Sequence, residues 1–118
     1  MAYILNNVNH ILANKLYKLE YLPTTRQDMI DIVQYISQEL KNPIAAERLA
    51  VEMVEAAEKI LIFLYAAPVY LPIRSLKHEY RKILVQNYLI FYWIDESKKL
   101  VTVARVLYAG RNHNRLLE

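Results

Sequence analysis

The sequence predicts an α+β fold of two layers, in which a helical hairpin packs on a small, mainly antiparallel sheet in the order β-α-α-β-β-β. Two observations lead to this prediction. Residues 80–108 contain three consecutive runs of β-branched and aromatic residues, separated by short polar connections, which is typical of an antiparallel meander. Residues 24–65 instead repeat apolar side chains at the spacing of two amphipathic helices.

Length and composition narrow the class of protein. A chain of 118 residues forms one domain with a substantial core. The chain has no cysteine, which excludes disulfides and thiolate metal sites and suits a reducing cytoplasm. No apolar run reaches the length of a membrane span, and the N-terminus lacks the layout of a signal peptide. We therefore expect a soluble cytoplasmic protein without a role in membranes.

The N-terminal part contains an extension and then the first strand. Residues 1–16 place apolar side chains at helical spacing, which predicts a short amphipathic helix outside the domain of residues 17–118. Residues 18–23 alternate polar and apolar side chains and predict a strand that Pro23 ends. We expect this strand to run beside the last one.

Two helices follow. Thr24 or Thr25 is the predicted cap of the first helix, whose apolar stripe continues to Leu40. Asn42 is the predicted cap of the second helix, with Pro43 in its first helical position. The apolar spacing of this helix extends from residue 44 to about residue 65.

The meander consists of predicted strands at residues 80–85, 88–94 and 100–108. Asn87 is expected to take the left-handed conformation in the tight turn between the first two strands. Both faces of the middle strand are apolar, so both need to be covered. The helices can cover one face, and we expect the other to be left for a partner or a substrate.

Charge is divided unevenly along the chain. Residues 1–68 hold six Lys or Arg and eight Asp or Glu, while residues 69–118 hold nine and four, which gives net charges of −2 and +5. The basic half is a plausible site for phosphates or an acidic peptide. Alternatively, these charges keep the sheet edges soluble and unpaired.

Four stretches in this order resemble the RelE/ParE superfamily of bacterial toxins, the toxic halves of type II toxin–antitoxin modules. The stretches are KLEYLPTTRQDMIDIVQYI, KNPIAAERL, YRKILVQNYLIFYWIDE and VTVARVLYAGRN. The resemblance covers residues 17–115 and implies a RelE/ParE-like fold. It also implies a growth-arresting toxin that a cognate antitoxin neutralises in a toxin–antitoxin hetero-oligomer.

The resemblance implies an antitoxin whose C-terminal segment wraps the sheet and helices. We expect it to contact an apolar patch on the middle strand together with a neighbouring arginine. These residues are Leu89, Phe91, Trp93 and Arg105. In the alternative interpretation, Phe91 and Trp93 lie in the core against the N-terminal helix, and Arg105 snorkels or pairs with a carboxylate.

Two mechanisms divide the superfamily. RelE-like members cleave mRNA on the ribosome without a metal, whereas ParE-like members inhibit DNA gyrase. RNA cleavage needs a base, an acid and a cation at the phosphate. The resemblance assigns toxicity to Arg81, Lys82, Arg111 and His113, of which His113 is an acid or base or simply a solvated side chain.

The gyrase mechanism is favoured because Leu89 stands where RelE-like nucleases present the arginine that grips the phosphate. Several tyrosines could still stack on bases, although aromatic residues at strand spacing usually pack: Tyr80, Tyr88, Tyr92 and Tyr108. The remaining alternative is a degenerate, non-toxic binding partner. No motif for a metal or a nucleotide cofactor occurs, so we expect no cofactor.

Overall fold

The computed structural model describes residues 16–72, 76–110 and 116–117. The elements are β1 (Lys18–Tyr21), α1 (Pro23–Gln34), α2 (Pro43–Ile60), β2 (Arg81–Val85), β3 (Tyr88–Asp95) and β4 (Leu100–Tyr108). A π-helical segment, Tyr35–Glu39, follows α1 directly. The predicted α+β class and the order β-α-α-β-β-β are confirmed. The predicted N-terminal extension lies outside the described residues except for Leu16.

The four strands form one sheet in the order β1-β4-β3-β2. β1 lies beside β4, as predicted, and runs parallel to it, with Lys18 opposite Leu100 and Tyr21 opposite Val103. The other two strand pairs are antiparallel. Parallel neighbouring strands require a crossover connection. The helical hairpin lies between β1 and the meander in sequence, so it is part of this connection, and it packs on one face of the sheet.

The helix face of the sheet carries the main core. α2 and the strands meet there through residues that are at most 2% exposed: Leu49, Met53, Ala57, Ile90, Val103 and Val106. Tyr92 is fully buried beside Ile60 and Val101. The α2 residues recur every three to four positions, so the predicted apolar stripe is the buried one.

The opposite face, here called the second face, is defined by Leu89, Phe91, Ala104 and Leu107. The prediction that it is left open is wrong, because other parts of the chain cover it. The covering residues are Leu22, Tyr70, Leu76, Tyr80, Leu116 and Leu117. The segment before β2 reaches this position because it folds back on the strand, where the Tyr70 amide donates to the Tyr80 carbonyl at 2.8 Å.

A β-bulge changes the orientation of side chains on β4. Phe91 pairs with Arg105, but Tyr92 pairs with Val103, so Ala104 is the extra residue. A regular strand would place Arg105 on the same face as Val103, and the bulge removes this alternation. Val103 packs on the helix face, whereas Ala104 and Leu107 pack on the second face.

In the turn between β2 and β3, the residue in the left-handed conformation is not the predicted one. Gln86, with φ of 53°, takes it instead of Asn87. A long side chain is unfavourable there, but the Gln86 amide donates to the carboxylate of Glu52 on α2. This contact fixes the hairpin to the helical layer.

The start of α1 is not capped by a threonine. The helix begins at Pro23, and the cap position is Leu22, which has no side-chain hydrogen bond. Thr25 is fully buried, and its hydroxyl donates to the Val103 carbonyl at 2.7 Å. Thr25 therefore attaches α1 to β4, and the prediction of a threonine cap is wrong.

The prediction for the start of α2 is confirmed, because Asn42 Oδ1 accepts from the Ala45 amide at 3.1 Å and Pro43 opens the helix. The predicted end near residue 65 is wrong, since α2 ends at Ile60. Beyond it, the Arg81 guanidinium binds the carbonyls of Tyr65 and Ala67, which favours an irregular path. Neither helix is long and apolar enough to cross a membrane, and none of the other described residues form such a helix.

We predict that Thr25→Val lowers the free energy of unfolding by about 1 kcal/mol, because a buried hydroxyl bond is lost. The loss is limited because the Val103 carbonyl also accepts from the Leu22 amide at 3.2 Å. Urea denaturation followed by circular dichroism measures it. Thr24→Val, the same change at an exposed neighbour, is the control. Equal stability of both variants would contradict this role for Thr25.

Candidate functional site

The three apolar residues predicted to bind an antitoxin lie together on the second face. Phe91 is fully buried, Leu89 is 9% exposed, and Trp93 is half-buried at the end of β3. Tyr70 meets Phe91 edge to face, with ring centroids 5.3 Å apart. Leu89 and Phe91 are therefore closed to a partner in this conformation, while part of Trp93 remains accessible.

Arg105 lies at the border of this cluster, and all of its donor nitrogens have partners. Nε and Nη2 donate to the two carboxylate oxygens of Asp28 at 2.7 and 2.8 Å. Nη1 donates to the Leu116 carbonyl at 3.0 Å. The hydrogen bond to Asp28 raises the pKa of Arg105 above its ordinary value, although burial acts in the opposite direction. The expected pairing with a carboxylate is confirmed.

A histidine that was not singled out in the sequence covers Trp93. The rings of His78 and Trp93 are parallel within 3° and their centroids lie 3.8 Å apart. Tyr80 meets the indole edge on, at 5.8 Å. Burial lowers the pKa of His78 below its ordinary value, the charge of Lys77 lowers it further, and the charge of Asp95 opposes both.

Sequence reasoning missed His78 because it lies in the Pro-containing connection before β2, which has no periodicity to indicate what it contacts. Its aromatic neighbours are Tyr80, directly before β2, and Trp93 on β3. Only the three-dimensional arrangement brings the three rings together.

Arg81 holds the connection between α2 and β2. Nη1 donates to the Ala67 carbonyl at 2.7 Å, and the guanidinium lies 5.0 Å from the centre of the Tyr65 ring. Nη2 is 3.7 Å from the carboxylate of Glu79, and 15% of the Arg81 side chain is exposed. The charge of Arg81 is thus largely enclosed by groups of its own chain.

Tyr65 extends this contact to the turn between β3 and β4. Its hydroxyl donates to the carboxylate of Glu96. That hydrogen bond raises the pKa of Tyr65 to about 12, with smaller contributions from burial and from the charge of Glu96. The phenol is therefore a poor proton donor in a reaction at neutral pH.

Lys82 is the next residue on β2 and is more available. Successive strand residues point to opposite faces, so Lys82 and Arg81 do not converge. The Lys82 ammonium lies 5.4 Å from the centre of the Tyr70 ring, and within the described ranges it has no carboxylate partner. Of the two predicted toxicity residues that the structure describes, Lys82 is better placed than Arg81 to meet an external anion.

The remaining two predicted toxicity residues, Arg111 and His113, lie outside the described residues. The tyrosines mostly pack, since Tyr92 is fully buried and Tyr80 is 5% exposed. Tyr108 is exposed and meets Tyr88 edge on, with centroids 6.0 Å apart. In the described part of the chain, no group of three or more His, Asp or Glu side chains could hold a metal ion.

Two larger cavities lie outside the predicted site, beside the free edge of β1. Their volumes are about 540 and 380 Å³, and they share Leu19 and Glu58 as lining residues. The exposed apolar side chain of Val54 borders the smaller one. An open apolar groove thus exists on the helical side of the molecule. The second face, on the opposite side of the sheet, offers little free apolar surface.

Comparison with a solved structure supports the fold. The structure resembles a chain of the "Chromosomal ParDE TA system from P. aeruginosa", with a TM-score of 0.63 and 12% sequence identity over 79% of this chain and 96% of that chain. At this identity the similarity shows the fold. No curated protein sequence matches the chain.

The family assignment comes from the sequence. Residues 19–113 match the family model described as "ParE toxin of type II toxin-antitoxin system, parDE". The match includes β1 except for Lys18, both helices and the whole meander. Because it covers most of the chain, the protein belongs to the ParE toxin family of type II toxin–antitoxin systems.

Proposed function

We propose that this chain arrests growth by inhibiting DNA gyrase and that a cognate antitoxin in the same cytoplasm neutralises it. The observation that supports gyrase over mRNA cleavage is the engagement of the arginines. Arg81 binds carbonyls of the connection between α2 and β2, and Arg105 binds Asp28. Within the described residues, neither guanidinium is free to hold the charge of a cleaving phosphate.

Leu89 supports the same proposal. It is 9% exposed on the second face, at the position where the resemblance places the phosphate-binding arginine of RelE-like nucleases. An apolar, buried side chain cannot bind a phosphate. The geometry therefore favours inhibition by binding to a protein target over an enzymatic reaction.

Ribosome-dependent mRNA cleavage is the second candidate. It is favoured by the net charge of +5 on residues 69–118, which attracts RNA. Lys82 would then approach the phosphate backbone, and Arg111 and His113 would complete the site. A degenerate family member that only binds its antitoxin is the third candidate.

The antitoxin is proposed to bind at the residues predicted from the sequence: Leu89, Phe91, Trp93 and Arg105. Trp93 and the border around Arg105 are accessible without rearrangement. Leu89 and Phe91 become accessible only when the residues that cover them move. Antitoxin binding at this face therefore includes a conformational change.

We predict that inducing the chain alone causes an early fall in thymidine incorporation while methionine incorporation continues, because blocked gyrase stops replication first. Pulse-labelling in the first minutes after induction measures both. An early fall in methionine incorporation, with DNA synthesis continuing, would instead indicate the ribosome. Unaffected growth would identify a non-toxic member.

We also predict that Lys82→Glu reduces toxicity at least about 10-fold while the fold is retained, because reversing this half-buried charge, which lies outside the core, weakens attraction to an anionic target complex. Colony counts after graded induction measure toxicity, and circular dichroism verifies folding. Lys98→Glu, the same charge reversal in the exposed turn after β3, is the control. Equal toxicity of the Lys82→Glu variant and the parent would remove Lys82 from the site.

A further inference from the structure

The apolar groove beside the free edge of β1, here called the β1 groove, is built from three elements. Leu19 of β1 and Glu58 of α2 line both of its cavities. Met29 of α1 and Val54 of α2 add apolar side chains to the smaller cavity, and Leu61 adds one to the larger. Among the described strands, β1 has only β4 as a neighbour, so its other edge is not closed by a strand.

The charges that line the β1 groove balance. Its two carboxylates belong to Glu55 and Glu58, and its two cations to Arg26 and Lys59. The lining therefore carries no net charge to attract a nucleic acid or a strongly acidic peptide. An apolar segment of low charge fits this surface best.

The chain itself contains such a segment. Residues 1–15 include no acidic residue and a single Lys or Arg, which is Lys15. On a helix, their aliphatic side chains form one stripe, which consists of Ile4, Leu5, Val8, Ile11 and Leu12. A helix of this length is marginal in water and needs an apolar surface to pack on.

The place where this segment joins the domain lies at the β1 groove. Tyr17 packs on the buried cluster that contains Ile60. Leu61, which lines the larger cavity, packs on the same cluster. Because so few residues separate the segment from the groove, its effective concentration there is in the millimolar range. Even a weak contact is then largely occupied.

We propose that residues 1–15 pack as an amphipathic helix in the β1 groove, with their aliphatic stripe on Leu19, Met29 and Val54. The second face does not compete for this segment, because other parts of the chain already cover it. The family match begins at residue 19, so the contact belongs to the part of this chain outside the match. The proposal does not depend on the proposed function.

The contact has two consequences for the molecule. It buries the side chain of Val54, which is otherwise 40% exposed, and it covers an edge strand that could pair with another chain. It also joins α1, α2 and β1 through one additional element. Local opening of the helical hairpin away from β1 should then be rarer.

Hydrogen exchange of the full chain, followed by mass spectrometry, tests this contact. Amides of residues 1–15 should exchange at least about 10-fold more slowly than those of a synthetic peptide of the same sequence, because the helix persists only where it is docked. Val54→Asp puts a carboxylate in the groove and should abolish this protection. Val51→Asp is the matched control, since Val51 is 49% exposed on α2 and lines neither cavity.

A second pair of variants tests the segment and keeps the experiment decisive if the change at Val54 disturbs α2. Leu12→Asp should abolish the protection, whereas Asn6→Asp, on the polar side of the helix, should retain it. Exchange of the parent chain at the rate of the free peptide would overturn the proposal, as would equal protection in both members of each pair.

The same measurement at several protein concentrations identifies the occupant. Protection that is independent of concentration is expected for a contact within one chain. Protection that rises with concentration would assign the groove to a second copy and overturn the proposal. None of these results affects the gyrase proposal, which the labelling experiment tests separately.

Discussion

The carboxylate of Asp28 completes the outer edge of β4 where β1 has already ended. β1 has four residues and β4 has nine, so the second half of β4 has no neighbouring strand on that side. Asp28 accepts from the Val106 amide at 3.0 Å and from the Arg105 guanidinium, while Thr25 binds the Val103 carbonyl. Side chains of α1 thus bind groups at the edge of β4 that the backbone of a longer β1 would have bound. Fewer unpaired backbone groups at this edge are then available for aggregation.

This arrangement explains how the second face is organised. The bulge at Ala104 turns Arg105 away from the helix face, and Asp28 fixes the guanidinium at the border of the apolar cluster. The third donor of the same guanidinium then holds Leu116. One ion pair therefore connects the helical layer, the sheet and Leu116. Asp28 also neutralises the charge of Arg105, which would otherwise be available to a phosphate. This supports the proposal that this face binds a protein and does not cleave RNA.

Much of the fold could be predicted from the sequence because it depends on local patterns. The meander and the Asn42 cap each follow from residue spacing or from cap residues, whereas the place of β1 beside β4 was expected without a local pattern that selects this strand as its partner. The bulge could not be predicted, since Ala104 differs in no visible way from its neighbours. Thr25 resembles a helix cap in sequence, and only its burial against β4 reveals another role. For the site, the sequence indicated Arg105 and its carboxylate pairing but not Asp28 as the partner, because the two lie 77 residues apart.

A double-mutant cycle on Asp28 and Arg105 tests most directly whether this ion pair organises the molecule. The unfolding free energies of Asp28→Asn, Arg105→Gln and the double variant would be measured in urea, with Asp31→Asn on the exposed side of α1 as the control. The side chains of Asp28 and Arg105 are 13% and 24% exposed. This pair should show a coupling energy of about 1–3 kcal/mol. The control pair, Asp31 and Arg105, should show none. Additive losses for Asp28 and Arg105, within about 0.5 kcal/mol, would contradict the central place given to this interaction.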